Sequence, residues 1–176
     1  MIAIGTQPRT PPRAARLGAA LLGAVLAIGL GGCNQGGAPS GSPLSDSAFQ
    51  VEWLSADVPA KMKPGETATV NVKFRNISDQ VWPDPKTADP AATGAYAVRL
   101  AWRWRTSEDM GSGEGTSYRT DLTEPLGPGR ETTLATNVTA PKQPGQYRLQ
   151  IDLVQELVAY FGDRGAKLEI IPVDVQ

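Results

Sequence analysis

The chain has 176 residues, 40% hydrophobic and 20% charged, enough apolar material for one domain. Its 17 basic residues against 18 acidic ones leave no basic stripe for a nucleic acid, and with no histidine the commonest general base and metal ligand are missing. A single cysteine excludes an intramolecular disulfide, a thiolate metal site and a redox pair.

The first segment reads as an address. Residues 1–16 carry Arg9, Arg13 and Arg16 as their only charges, and residues 17–32 hold no charged or strongly polar side chain. A positive head, a short apolar run and small residues at the cut make a secretory signal. The run is shorter than the ~20 residues a helix needs to cross a bilayer. Leu30-Gly31-Gly32-Cys33 resembles the bacterial lipobox. That resemblance implies acylation of Cys33 and cleavage before it, so residues 1–32 are a lipoprotein signal peptide. One acyl chain anchors weakly at ~0.8 kcal/mol per buried methylene, so durable attachment calls for two or three. The leader takes three of the basic residues and no acidic one, and the mature chain is net acidic. The expected location is the cell envelope: with Asn34 in place of a retention aspartate, the outer membrane of a two-membrane cell, otherwise the outer face of the plasma membrane.

Residues 33–48 are rich in Gly, Ser and Pro, which predicts a flexible tether behind the lipidated cysteine. Period-two alternation starts at Phe49, Val51 and Trp53 and is clearest from Ala68 through Val70, Val72 and Phe74. A long connection over 76–95 leads to Tyr96, Val98, Leu100, Trp102 and Trp104. Residues 106–117 predict a mobile loop and Tyr118–Leu122 a short edge strand. Leu134 and Val138 mark another strand, Tyr147, Leu149, Ile151 and Leu153 the next, and Leu168–Val175 the last. Pro172 in that last strand predicts a bulge or an unpaired edge. No segment shows helical periodicity. About seven short strands over 49–176 predict an all-β fold, a single immunoglobulin-like antiparallel sandwich. Pro144-Gly145-Gln146-Tyr147 looks like a tyrosine corner, which places Leu149 and Val70 or Val72 where antibody domains carry their disulfide, with Trp102 between the sheets.

Several pieces resemble a bacterial Ig-like module similar to the four-tryptophan Ig-like domains named from autophagy cargo receptors, and also like modules appended to envelope and polysaccharide-modifying proteins. They are residues 76–82, ending in Val81-Trp82, residues 98–104, Leu126-Gly127-Pro128-Gly129, residues 140–156, and Tyr160-Phe161. Tyr160 stands where that pattern has tryptophan. The resemblance implies a binding or scaffolding module and no catalyst.

The candidate binding residues are Trp82, in the long connection, and Tyr160 and Phe161, between the last two strands. Trp53, Trp102 and Trp104 read as core because they share wholly apolar faces. Lys73, Arg75, Arg99, Arg103 and Arg105 read as a solvated charged face, with Glu52 and Asp152 as cross-strand partners. Glu108, Asp109 and Glu114 lack the regular spacing of a calcium loop, so no metal site is expected. No cofactor is expected, and serines without a histidine or a Gly-x-Ser-x-Gly elbow give no hydrolase. Asn76-Ile77-Ser78 and Asn137-Val138-Thr139 match the glycosylation pattern, by chance in a bacterial lipoprotein. The expectation is a non-catalytic, lipid-anchored module for an envelope protein or a glycan. The alternative is a carbohydrate-binding module, and less strongly an unrecognised carboxylate hydrolase.

Overall fold

Alternating apolar side chains need a second layer to close over them, and the chain supplies it from its own strands. A computed structural model describes residues 41–89, 93–106 and 117–176. Among these the strands are β1 Val51–Ala56, β2 Lys61–Met62, β3 Thr67–Asn76, β4 Val98–Arg105, β5 Tyr118–Asp121, β6 Glu131–Thr139, β7 Gly145–Gln155, β8 Ala159–Tyr160 and β9 Glu169–Val175. Seven have four residues or more, as the alternation predicts; β2 and β8 are two-residue additions too short to announce themselves. One sheet has the order β1-β3-β6, the other β2-β9-β7-β4-β5 with β8 on β7. All neighbours are antiparallel except β2 and β9. The fold is an immunoglobulin-like sandwich.

Val70, Val72 and Phe74 of β3 face Leu100 and Trp102 of β4 and Leu149, Ile151 and Leu153 of β7 in one buried core. Leu149 and both valines are fully buried, so aliphatic packing fills the place of a disulfide. Trp102 lies between the sheets, its indole N–H donating to the Thr136 hydroxyl of the opposite sheet at 3.1 Å. The tyrosine corner is present: the Tyr147 hydroxyl donates to the Gln143 carbonyl at 3.1 Å. Turns are made by Pro-Gly pairs whose glycines take positive φ, +74° at Gly65 and +71° at Gly129.

Two local departures have simple causes. Asp84 caps a single helical turn, α1 Pro85–Ala88, by accepting from the Thr87 N–H at 3.0 Å, with Pro85 at its first position. One turn is too short to show a period of 3.6. At Pro172 there is no bulge: the register Tyr147↔Val173, Arg148↔Pro172, Leu149↔Ile171 runs without a shift. The N–H groups of Asp174 and Gln176 point the other way, to Ala60 and Met62. Alternation puts the missing N–H of Pro172 on that same outer edge, beyond the end of β2, where the ladder needs no donor.

The long axis of the sandwich follows β7. Its 11 residues, at a rise of roughly 3.3 Å each, separate a Gly145 end from a Gln155 end by about 33 Å.

Candidate binding groove

The lipobox residues Leu30, Gly31 and Gly32 and the acylation candidate Cys33 lie outside the described residues, as do Glu108, Asp109 and Glu114. The other predicted site residues are placed, and two of the three are corrected. Trp82 is fully buried; its backbone pairs with Leu126 and its indole N–H donates to the Ala48 carbonyl at 2.8 Å. Phe161 is also fully buried, edge-on to Trp82 at 5.0 Å and to Phe49 at 4.9 Å. Its backbone N–H donates to the Leu153 carbonyl at 2.8 Å, which folds the connection after β8 back over the core. Neither ring presents a face to a ligand. Tyr160 is half-buried, with the Arg103 guanidinium over its ring at 4.5 Å and Arg119 donating to its hydroxyl at 2.8 Å.

These aromatics seal the Gln155 end, and the supposed tether takes part. Leu44 and Ala48, expected within the spacer, are buried in the core. The fully buried Gln155 side chain accepts from the Leu44 N–H and donates to the carbonyls of Ser42 (3.1 Å) and Tyr96 (3.0 Å). Asn76 works the same way. Its Nδ2 donates to the Gln80 and Leu126 carbonyls, and its Oδ1 accepts from the Ser78 N–H and hydroxyl. An amide so enclosed is no glycan acceptor in the folded chain.

The charged strand positions divide. Lys73 pairs with Glu131 at 2.7 Å, and Arg75 with Glu52 at 2.6 Å and with Glu131, at the surface as expected. Hydrogen bonds from Lys73 and Arg75 hold the Glu131 carboxyl below its ordinary range. Arg103 and Arg105 are not solvated: only 5% and 3% of their surface is exposed. They lie on the outer face of the larger sheet, where Arg99 and Arg119 both donate to Glu156. Asp152, on that face too, is buried, accepts from the Leu153 and Gly162 N–H groups, and lies near Arg103. Burial outweighs those favourable neighbours and pushes its carboxyl up to about 7.

At the Gly145 end lies an open groove of about 440 Å³ lined by Gly65, Trp104, Tyr118, Thr139, Ala140, Pro141 and Lys142. Trp104 is half-buried rather than wholly core, and its indole N–H donates to the Thr139 carbonyl at 2.7 Å. Tyr118 is 50% exposed, and its ring stacks on Trp102 with centroids 4.2 Å apart and planes 14° from parallel. The sequence offered only one sign of Tyr118, an aromatic opening a short edge strand. Among the described residues that line the groove, Lys142 is the one with a charge. Among the described residues no three His, Cys, Asp or Glu side chains come together as a metal site.

No protein-family model matches the chain, and no curated protein matches it. Solved structures do. The CARDB domain of a Pyrococcus furiosus protein is 19% identical with a TM-score of 0.40, covering 72% of this chain and 92% of that one. The sporulation control protein of Bacillus subtilis is 14% identical with a TM-score of 0.41, covering 72% and 49%. The alpha-2-macroglobulin of E. coli is 18% identical with a TM-score of 0.39, and the match covers 72% of this chain but only 6% of that far longer one.

Proposed function

We propose that this protein is a lipid-anchored, non-catalytic binding module of the cell envelope, held to a membrane through Cys33 and offering the groove at its Gly145 end to an envelope protein or glycan. The observation that carries the reading is the opposition of the two ends. The chain leading from Cys33 joins the domain at Ser42 and Leu44, pinned by Gln155, whereas the groove's Trp104 is level with Leu149, about 20 Å further along β7. A domain whose chain enters at one end and whose groove lies toward the other leaves the groove clear of the point of entry. The lipobox resemblance, the lack of histidine and the placing of the only cysteine within that motif agree with an anchor and no catalytic group. The four-tryptophan type of Ig-like module, which the turn and core residues resemble, implies binding as well.

Two measurements in cells test this. Radiolabelled palmitate is expected on the wild type and absent from Cys33→Ala. A photoreactive amino acid at Gln143, beside the groove, is expected to form adducts with envelope material, whereas one at Asp79, at the tethered end, is not. Equal adducts at both positions, or none at Gln143, would count against the reading.

A further inference from the structure

We propose that the groove at the Gly145 end takes a glycan, with one pyranose ring lying on the free face of Tyr118; this deepens the binding-module reading and rests on it. Tyr118 is a ring with one side occupied. Trp102 lies flat against it at 4.2 Å, and Trp102 is itself fixed by its hydrogen bond to Thr136. Half of Tyr118 is nonetheless exposed and forms part of the groove. A ring backed in this way is already held in place, so binding costs it little side-chain freedom. Its open face carries the negative side of the aromatic quadrupole. The axial C–H bonds of a pyranose form a flat patch of slightly positive hydrogens that matches such a face in shape and sign.

The polar groups of the other walls suit a sugar, and a peptide could ladder only along the outer edge of β5. A bound peptide gains most of its affinity by laddering onto free backbone or by seating a charged anchor. Here the Gly65 backbone N–H already donates to Pro141, the Trp104 indole N–H to the Thr139 carbonyl, and the Thr139 hydroxyl is paired with Thr67. Among the described residues that line it there is no carboxylate to receive a basic side chain. What remains is the Tyr118 ring, the Trp104 ring and the Lys142 ammonium, which can donate to sugar hydroxyls or to a uronate carboxylate.

The test uses the full-length protein in a detergent without a sugar head. Three probes are titrated, oligomers of β-1,4-glucose, of N-acetylglucosamine and of galacturonate, followed by tryptophan fluorescence and calorimetry. At least one is expected to saturate. Tyr118→Leu, which keeps an apolar cover over Trp102, is expected to weaken that binding about tenfold, and Tyr118→Phe to leave it within about twofold. If galacturonate binds best, Lys142→Ala should remove the advantage. Failure of all three probes to saturate by about 10 mM overturns the glycan proposal, as does a Tyr118→Leu protein that melts and binds like wild type. Protein adducts at Gln143 together with silent sugar titrations would overturn the glycan and leave the binding module standing. Absence of adducts and of sugar binding would remove both.

Discussion

The Gln155 side chain, on the last residue of β7, accepts a hydrogen bond from the backbone N–H of Leu44 at 2.9 Å across 111 positions of sequence. With its bonds to Ser42 and Tyr96 it fixes where the domain begins. Gln155→Leu leaves the buried Leu44 N–H unpaired and strips a partner from the part-buried Ser42 and Tyr96 carbonyls, at roughly 1–3 kcal/mol for each group left without a partner before relaxation. A loss of about 2–4 kcal/mol in urea unfolding is expected. Limited proteolysis should at the same time open a new cut between residues 41 and 48. A variant as stable and as resistant as wild type would contradict this role.

Asn76 holds the turns after β3 and before β6 together through four side-chain hydrogen bonds. Asn76→Ala is expected to cost about 2–4 kcal/mol, since it strips partners from two carbonyls and a serine. Asn137→Ala, at an exposed position on β6, should stay within about 0.5 kcal/mol. Thermal melts of the two side by side decide the matter.

Asp152 gives a pH dependence with a definite sign. Its carboxyl is raised from 3.8 to about 7 in the folded protein, so the folded state keeps a proton that the unfolded chain has released. Its contribution is therefore fully present below pH 4 and lost as the pH rises through about 7. Asp152→Asn keeps an acceptor for Leu153 and Gly162 and removes the titration. Relative to wild type, the variant should gain on the order of 2 kcal/mol between pH 5 and pH 8. Parallel pH profiles would refute this.

Trp82 and Tyr118 should separate stability from binding. Trp82→Ala empties a site enclosed by Phe161 and the Ala48 carbonyl and is expected to cost about 3–5 kcal/mol. Whatever folded protein remains should bind the groove's ligand as wild type does. Tyr118→Leu should behave oppositely, with a melting point close to wild type and weakened binding. A ligand affinity that followed Trp82 would return the site to the tethered end.

Tyr147→Phe removes only the hydroxyl that reaches Gln143. About 1 kcal/mol is expected, read as a fall in the denaturant midpoint without a change in slope.

The strands were legible where side chains reported on two surfaces at once. In β3, β4 and β7 an apolar residue at every second position names both the strand and its inward face, and the core follows. The tethered end was not legible. Nothing in Ser42-Pro43-Leu44 announces burial, because what buries it is an amide more than a hundred residues away. Trp82 and Phe161 sit among turn residues whose composition says nothing of where a ring will go, and both turned inward to cover the end of the core. Arg103 and Arg105 alternate as polar residues should, yet alternation gives only the face and not what lies over it. In the sequence Tyr118 is one residue of a short edge strand, and its importance depends on Trp102 lying beneath it.

Pro172 has a bearing on how copies of this molecule share a crowded surface. The stretch of β9 above β2 is the kind of open ribbon onto which a neighbouring chain can zip, and the imide there withholds one of the donors that such a zipper would use. Molecules packed side by side would therefore meet along a flank that refuses to knit, and could remain separate and soluble at densities where an unguarded border would begin to fuse.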